Sequence, residues 1–530
     1  MWRKAILLLA VAATVAVLLL SSIPLGVPGE WEWPRQQLPA SLAEVLDRLL
    51  NPLLTGAALV GFCHFVDHRI TRARRVARIT FLFLLVTGAV CWLGSVRQAA
   101  ASPHRELRPL WVLYDKYASG YFFEAAFHMK SQHELLSTYE ARMAKGDVLH
   151  EGTHPPGLFL LNWWAIQATK ASPLLAQVAE WTQSANSIKL FRAVEADITM
   201  ARLLSQPELA ALCLVSFVST VLSALTLLPV YGIVKLLSDR RTAWRAACLT
   251  MTIPSIAVFA PRSDIVYAFT ATLILWLILK TVMSHSGASR TAYAILAGLV
   301  IFVSLAVSLA HLPVLVAISV FSGLMLFQPQ QLPRRNLLIG GALVLTTLGV
   351  AIIGWGLATD CPLFKIWRLN LMNHAGFYGQ SPRTWWKWFL LNPAELAFSL
   401  GLPLAISSGF GVIQSFKSVP GSGAGTQQKA VFRTLVVAMA FTWAVLWLSG
   451  KNMGEAARLW CFLFPWFVIV AAFTFPVNCH DDGNSKQSLQ RTTRHSYHSA
   501  EWLWLLIAQL VVCGFTVGAV SGYSILNVTL

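Results

Sequence analysis

With 530 residues, 56% of them hydrophobic and only 12% charged, the chain lies far from a soluble domain, in which about a quarter of residues are charged. The formal net charge of +17 does not indicate a nucleic-acid partner, because Lys and Arg are scattered through short turns between apolar runs, a pattern that sets membrane topology. The eight cysteines, mostly inside those runs and without a Cys-x-x-Cys pair, indicate neither a disulfide framework nor a zinc site.

Apolar runs of roughly 17 to 25 residues, each able to cross about 30 Å of hydrocarbon as a helix, recur along the whole length and predict an all-α polytopic membrane protein. Residues 5–20 follow Met1-Trp2-Arg3-Lys4 without a small-x-small cleavage pattern, and so read as an uncleaved first span. Residues 29–50 are polar and amphipathic, and 52–66 form a short span. Arg69, Arg72, Arg74, Arg75 and Arg78 are the densest basic cluster, cytoplasmic by the positive-inside rule. The next span, 79–93, therefore leads outward, and the long polar interval from His104 to Lys170 faces outside. Within it, residues 114–129 predict a helix with Asp115 at its start and Tyr117, Tyr121, Phe122, Ala125 and Met129 at three-to-four spacing. Residues 158–168 predict a helix lying in the interface, with Trp163 and Trp164 at headgroup level.

Spans at 209–237, 243–260, 264–282, 291–308, 311–327, 337–357, 396–413, 431–448, 456–475 and 502–520 then alternate so that each basic turn falls inside, giving about 13 in all. The chain divides into N-terminal helices (1–98), an extracytoplasmic loop region with interfacial helices (99–207), a transmembrane core (208–357), a second extracytoplasmic loop (358–393) and C-terminal helices (394–530). The last part carries cytoplasmic linkers at 414–430 and 478–500, the first with the flexible composition Pro420-Gly-Ser-Gly-Ala-Gly-Thr. There is no internal repeat, phosphate-binding loop or pair of interrupted spans in corresponding halves, which weighs against a transporter.

The outer face then collects Asp115, Glu124, Glu134, Glu151, His154, Arg262, Asp264, His311, His374, Lys451, Glu455 and Arg458. A carboxylate such as Asp115 beside an aromatic helix is partly desolvated, so its pKa rises and it suits a general base; the plainer reading is a helix-start aspartate. Pro155 and Pro156 hold the backbone extended after Glu151 and His154. Asp264 follows Pro261-Arg262-Ser263 in a tight turn, where a helix N-cap is the plainer reading. His374 precedes Trp385, Trp386 and Trp388, which suit sugar stacking or headgroup anchoring. Glu455 and Arg458 stand one helical turn apart, as an ion pair or as an arginine aimed at a phosphate.

In their order, several features resemble the GT-C glycosyltransferases: an aspartate in an aromatic helix after an outward span; Thr153-His154-Pro155-Pro156-Gly157 before an interfacial helix; Arg202-Leu203-Leu204 leading inward; Arg262-Ser263-Asp264; and Gly454-Glu455-Ala456-Ala457-Arg458-Leu459-Trp460. Within that group they are similar to the family 39-like branch of protein O-mannosyltransferases and the lipid A aminoarabinose transferase, most strongly from Leu110 to Leu279. The resemblance implies a GT-C fold in a bacterial cytoplasmic membrane and a hexosyl or pentosyl group carried on a polyprenyl phosphate. It implies transfer with inversion, on the extracytoplasmic face, to a protein, lipid or glycan of the cell envelope. It makes Asp115 the base and Asp264 a second carboxylate orienting acceptor or a divalent metal ion. Glu151 and His154 shape the site, and Arg458, Arg262 or Lys451 hold the phosphate, with Glu455, His374 and Tyr114 as further binding residues. Many relatives carry an acidic pair where Lys116 follows Asp115 here, which leaves metal dependence open. Two other classes compete: a transporter or lipid flippase, with His64 and His311 the nearest to mid-span ionisable groups, and a non-catalytic scaffold.

Overall fold

The computed structural model describes residues 2–198, 202–328, 332–417, 424–474 and 488–523. Among them, ten helices are long and apolar enough to cross a membrane: Trp2–Leu20, Leu42–Asp67, Arg75–Ala99, Gln206–Leu237, Ser263–Met283, Gly287–Val307, Leu309–Leu326, Arg334–Thr359, Gln427–Leu448 and Glu501–Ala519. The chain is therefore an integral, multi-pass, helical membrane protein. The short span expected at 52–66 is the later part of Leu42–Asp67, which starts inside the stretch read as amphipathic. Its start is capped by Ser41, whose hydroxyl accepts the Glu44 N–H, and the Glu44 carboxylate reaches back to accept that of Ala40. Of the linkers expected at 414–430 and 478–500, residues 418–423 and 478–487 lie outside the described residues.

The expected count of about 13 differs from this set in three segments, each apolar enough for a span but broken. The segment at 396–413 straddles the bend of a pair, Trp385–Leu400 and Leu402–Phe416, which turns by 106° at Gly401, whose φ of +87° favours glycine. The segment at 243–260 divides into Arg240–Thr250 and Pro254–Phe259, because Pro254 offers no N–H to continue the first helix. The third, at 456–475, divides into Ala456–Leu459, a 3₁₀ turn Cys461–Leu463, and Phe464–Ala472 with Pro465 in its first turn.

Breaks at membrane depth are tolerated only where other groups take up the freed backbone. Gln509, on the last span, donates to the Leu400 carbonyl at 2.8 Å and accepts from the Leu404 N–H at 3.3 Å. Arg108 donates to the carbonyls of Ala257 and Val258 at 3.1 and 3.5 Å. The broken pieces also bond one another: the Ser255 hydroxyl to the Ala457 carbonyl, the Ser408 hydroxyl to the Phe467 carbonyl, and the Ala457 N–H to the Glu395 carboxylate.

Over one end of the bundle lies a layer of short helices, His104–Tyr114, Tyr121–Phe127, Gln132–Met143, Gly157–Ala171, Pro173–Trp181 and Ala185–Ile198, joined by Leu363–Gln380. The other end gathers the arginine-rich turns. There Asp67, fully buried, takes Arg241 at 2.7 Å and Arg245 at 2.8 Å, locking the early hairpin to Arg240–Thr250. Removing one partner of a buried pair leaves an uncompensated charge. Asp67→Ala is expected to cost about 3–5 kcal/mol, read as a lowered melting midpoint in detergent, and Asp67→Leu combined with Arg245→Met to regain part of it.

Candidate functional site

Asp115 closes the helix His104–Tyr114 as its C-cap, rather than opening a helix over 114–129. The aromatic spacing runs on, but the chain turns: the Asp115 carbonyl accepts the N–H groups of Ala118, Ser119 and Gly120, and Gly120, at a φ of +66°, starts Tyr121–Phe127. A side chain at Gly120 would strike the His150 ring, so this glycine serves both the turn and a close approach. The Asp115 carboxylate accepts the Tyr117 N–H at 3.1 Å. Burial raises its pKa above the ordinary aspartate value, against the opposing pull of that N–H and of Arg262.

Arg262 ends the turn after Pro254–Phe259 and is only 6% exposed. Its Nε has no hydrogen-bond partner and, among the described residues, it forms no ion pair. Burial pulls its pKa down to about 10; the charges acting on it are Arg458, Asp264, Glu455 and Asp115. Arg458 approaches Asp264 at 3.6 Å and bonds Glu455 at 2.7 Å. The turn carrying Glu455 and Arg458 is held by its own neighbours. Gly454 sits at a φ of +77° against Arg383 and Trp388, Arg383 donates to the Met453 carbonyl, and Tyr378 accepts the Met453 N–H at 3.1 Å. Glu30, in the hairpin formed by Gly26–Val27 and Trp31–Glu32, fixes that wall by accepting from Thr384, Lys387 and Trp388.

Tyr121 stands at the centre. Its ring meets His150 at 5.3 Å and His154 at 5.2 Å, both edge-on, and Asp264 and Arg458 act on its hydroxyl. Asp147 fixes the His150 backbone by accepting the N–H groups of Leu149, His150 and Gly152. Burial pushes His150 down to about 4 and His154 to about 3, so both rings are neutral at physiological pH.

Asp115, Arg262, Asp264, Glu455, Arg458 and His154 are thus brought together from distant segments, with His374 and Lys451 at the edge, where Lys451 and Glu455 act on His374. Glu151 instead pairs with Arg142 at 3.0 Å, which also holds Glu134 at 2.8 Å. Tyr114 faces away, into a cluster with Phe123, Phe127 and Phe191. Glu124 pairs with His128, and His311 sits between the Thr270 hydroxyl and the Ser308 carbonyl. Sequence reasoning passed over Tyr121, taken only as part of an apolar face, and His150. It also missed Glu395, whose one signal is an acid in an apolar helix. Among the described residues no three His, Cys, Asp or Glu side chains form a group that can hold a metal ion.

Behind Ala457, next to Arg458, lies an apolar cavity of about 310 Å³ whose walls include Leu18, Trp33, Phe259, Leu391 and Phe398. Glu395 lines it, with one oxygen bonded to Trp33 and to the Ala457 N–H, both at 3.0 Å, and the other without a partner.

No family model matches the chain, and no curated protein does. Solved structures similar to it are those of the oligosaccharyltransferase of Archaeoglobus fulgidus, a GT-C fold glycosyltransferase. The form complexed with Zn and sulfate has a TM-score of 0.42 and 14% identity over 63% of this chain and 44% of that one. The form tethered to an acceptor peptide containing the NVT sequon has a TM-score of 0.47 and 12% identity over 83% and 56%. The apo form has 0.41 and 13% over 80% and 57%. The chain spans about half the length of these structures.

Because His150 and His154 start from an ordinary value of 6.5 when unfolded and drop to about 4 and about 3 when folded, the unfolded chain binds more protons below that ordinary value. The stability they allow is complete above it and is lost as pH falls toward the folded values. The melting midpoint is expected to fall from about pH 7 to about pH 4, and less steeply in His154→Gln.

Proposed function

We infer that the chain is a membrane glycosyltransferase that moves a sugar from a polyprenyl-phosphate carrier to an acceptor hydroxyl or amide on the extracytoplasmic face. The observation that carries this reading is Arg262: a buried guanidinium with no ion pair, beside Arg458, Asp264 and Asp115, one turn of chain from an apolar cavity whose wall includes Phe259. A buried cation without a direct ion-pair partner is costly, and a phosphate anion on a long apolar chain supplies both that partner and an occupant for the cavity. Guanidinium matches phosphate oxygens bidentately.

The chemistry follows from the charges. The acceptor gives its proton to the Asp115 carboxylate as its oxygen or nitrogen attacks the anomeric carbon from the face opposite the phosphate. The bond between that carbon and the phosphate oxygen breaks, and its electron pair stays on the phosphate. The configuration inverts in one displacement. The leaving phosphate is stable as an anion, so no strong general acid is needed. What the step needs is a base with a raised pKa and fixed positive charge where negative charge grows; Arg262 and Arg458 supply the latter. Asp264 and Glu455 hold Arg458 from either side, so its direction is set before substrate arrives.

The test is transfer from a panel of radiolabelled polyprenyl-phosphate sugars in membranes containing the protein. Asp115→Asn is expected to lower kcat by about 10²–10⁴-fold, with binding of the carrier preserved. Arg458→Lys is expected to weaken carrier binding while keeping the charge. As a base, Asp115 works only when ionised, so the rate falls as pH drops through a value above the ordinary aspartate one. Full transfer by Asp115→Asn sinks the base assignment, and no transfer from a broad panel by inserted wild-type protein sinks the class.

A further inference from the structure

At the end of the bundle opposite the short-helix layer, the turn after Gln206–Leu237 faces the loop after Leu42–Asp67 across an open hollow of about 340 Å³ lined by Thr71, Lys235, Ser238, Asp239 and Arg240. We propose that this hollow binds the phosphate head of an anionic membrane phospholipid, with Lys235 and Arg240 as its main contacts. The inference is independent of the transferase reading.

The first support is an excess of positive charge. The groups acting on the Lys235 ammonium are Arg78, Arg240 and Lys280, all cationic and drawn from three other helices. None of the four forms an ion pair among the described residues. Arg240 donates to the Thr71 carbonyl at 3.2 Å, and Lys280 lies over the Tyr293 ring at 5.6 Å; neither contact removes charge. Asp239 is the one acid in the lining, and both its oxygens are engaged. One accepts the N–H groups of Arg241 and Thr242 at 2.7 and 3.0 Å, the other the hydroxyls of Thr242 and Ser238 at 2.6 and 3.2 Å. The nearby Asp67 is committed to Arg241 and Arg245.

A basic turn is expected at any cytoplasmic span end, since topology requires it. Topology does not require that two cations from separate helices line one hollow, nor that two further helices bring Arg78 and Lys280 near enough to act on one of them. Such a meeting lowers the local potential only when an anion arrives, and basic pockets between helices at this depth suit lipid phosphate. A lipid is favoured over a free anion by the neighbouring surface. The helix that brings Arg78 exposes Val76, Ile79 and Phe83, an apolar strip on which acyl chains can lie while the head group sits in the hollow.

The experiment is thermal melting of the purified full-length protein in a neutral detergent with short-chain phosphatidylglycerol, short-chain phosphatidylcholine or inorganic phosphate. The proposal expects phosphatidylglycerol alone to raise the wild-type midpoint. It expects Lys235→Gln combined with Arg240→Gln to lose at least half of that rise, and Arg290→Gln combined with Arg335→Gln, which removes equal charge elsewhere, to keep it. An equal rise with inorganic phosphate would show an anion site that does not need a lipid and would overturn the assignment. An equal loss in both double variants would reduce the effect to net charge and overturn it as well. Should the Gln pair fail to fold, the charge-keeping Lys235→Arg with Arg240→Lys and the single Lys235→Gln carry the same comparison: the first must retain the rise and the second must diminish it.

Discussion

A backbone that breaks inside a membrane must find hydrogen-bond partners within the protein, and this constraint governs the structure more than any single packed helix. Three segments break, at Gly401, before Pro254 and around Pro465, and each is completed by groups from elsewhere in the chain. Gln509 closes the first, Arg108 occupies the carbonyls at the end of the second, and Glu395 with Ser255 clasps Ala457 in the third. Close approach makes this possible: a side chain at Gly411 would collide with the Val470 carbonyl. The breaks are therefore mutually dependent, and they release short, polar-ended turns where continuous spans would present only apolar surface.

Those turns carry the candidate site. Arg262 follows the end of Pro254–Phe259, and Arg458 lies in the four-residue helix that opens the third broken segment. Continuous helices would have directed these side chains around a cylinder, spaced by the helical period. The breaks instead let Arg262, Asp264, Glu455 and Arg458 converge beneath the Asp115 turn. Burying so many charges together is unfavourable unless they answer one another. Here Arg458 is answered by Asp264 and Glu455 at ion-pair distance, while Arg262 feels Asp264, Glu455 and Asp115 without a direct ion pair to any of them.

The sequence made the ten long spans legible because length and apolarity suffice for a continuous helix in lipid. It did not show the three breaks, because hydropathy cannot register a carbonyl capped by Gln509 or Arg108 a hundred or more residues away. Ionisable residues in outer turns were legible for the same reason that spans were: Asp115, Arg262, Asp264, Glu455 and Arg458 stand out against apolar flanks. Neighbours in sequence were less informative. Tyr114 precedes Asp115 yet turns to Phe191, and Glu151 stands three residues from His154 yet turns to Arg142. Tyr121 and His150 acquire their place through burial and ring contact around Gly120, which periodicity treats as one more position in a helix.

The two ends of the bundle apply one electrostatic logic with different results. The acids that the fold buries at Asp67, Glu208 and Glu195 are already matched, by two arginines, by Arg202 and by Arg192, and the half-buried Glu30 is matched by Lys387 and three further donors. In a chain of net charge +17, an unmatched surface cation is ordinary and carries little information. An unpaired cation is informative where it is buried, as Arg262 is, or where cations from separate helices line one hollow, as Lys235 and Arg240 do. At the first end Asp264 and Glu455 are turned toward Arg458; at the second Asp239 caps its own helix and Asp67 holds Arg241 and Arg245. The occupant proposed for both places is the same chemistry, a phosphate attached to an apolar chain, which suits the level where helix ends meet the polar face of a membrane.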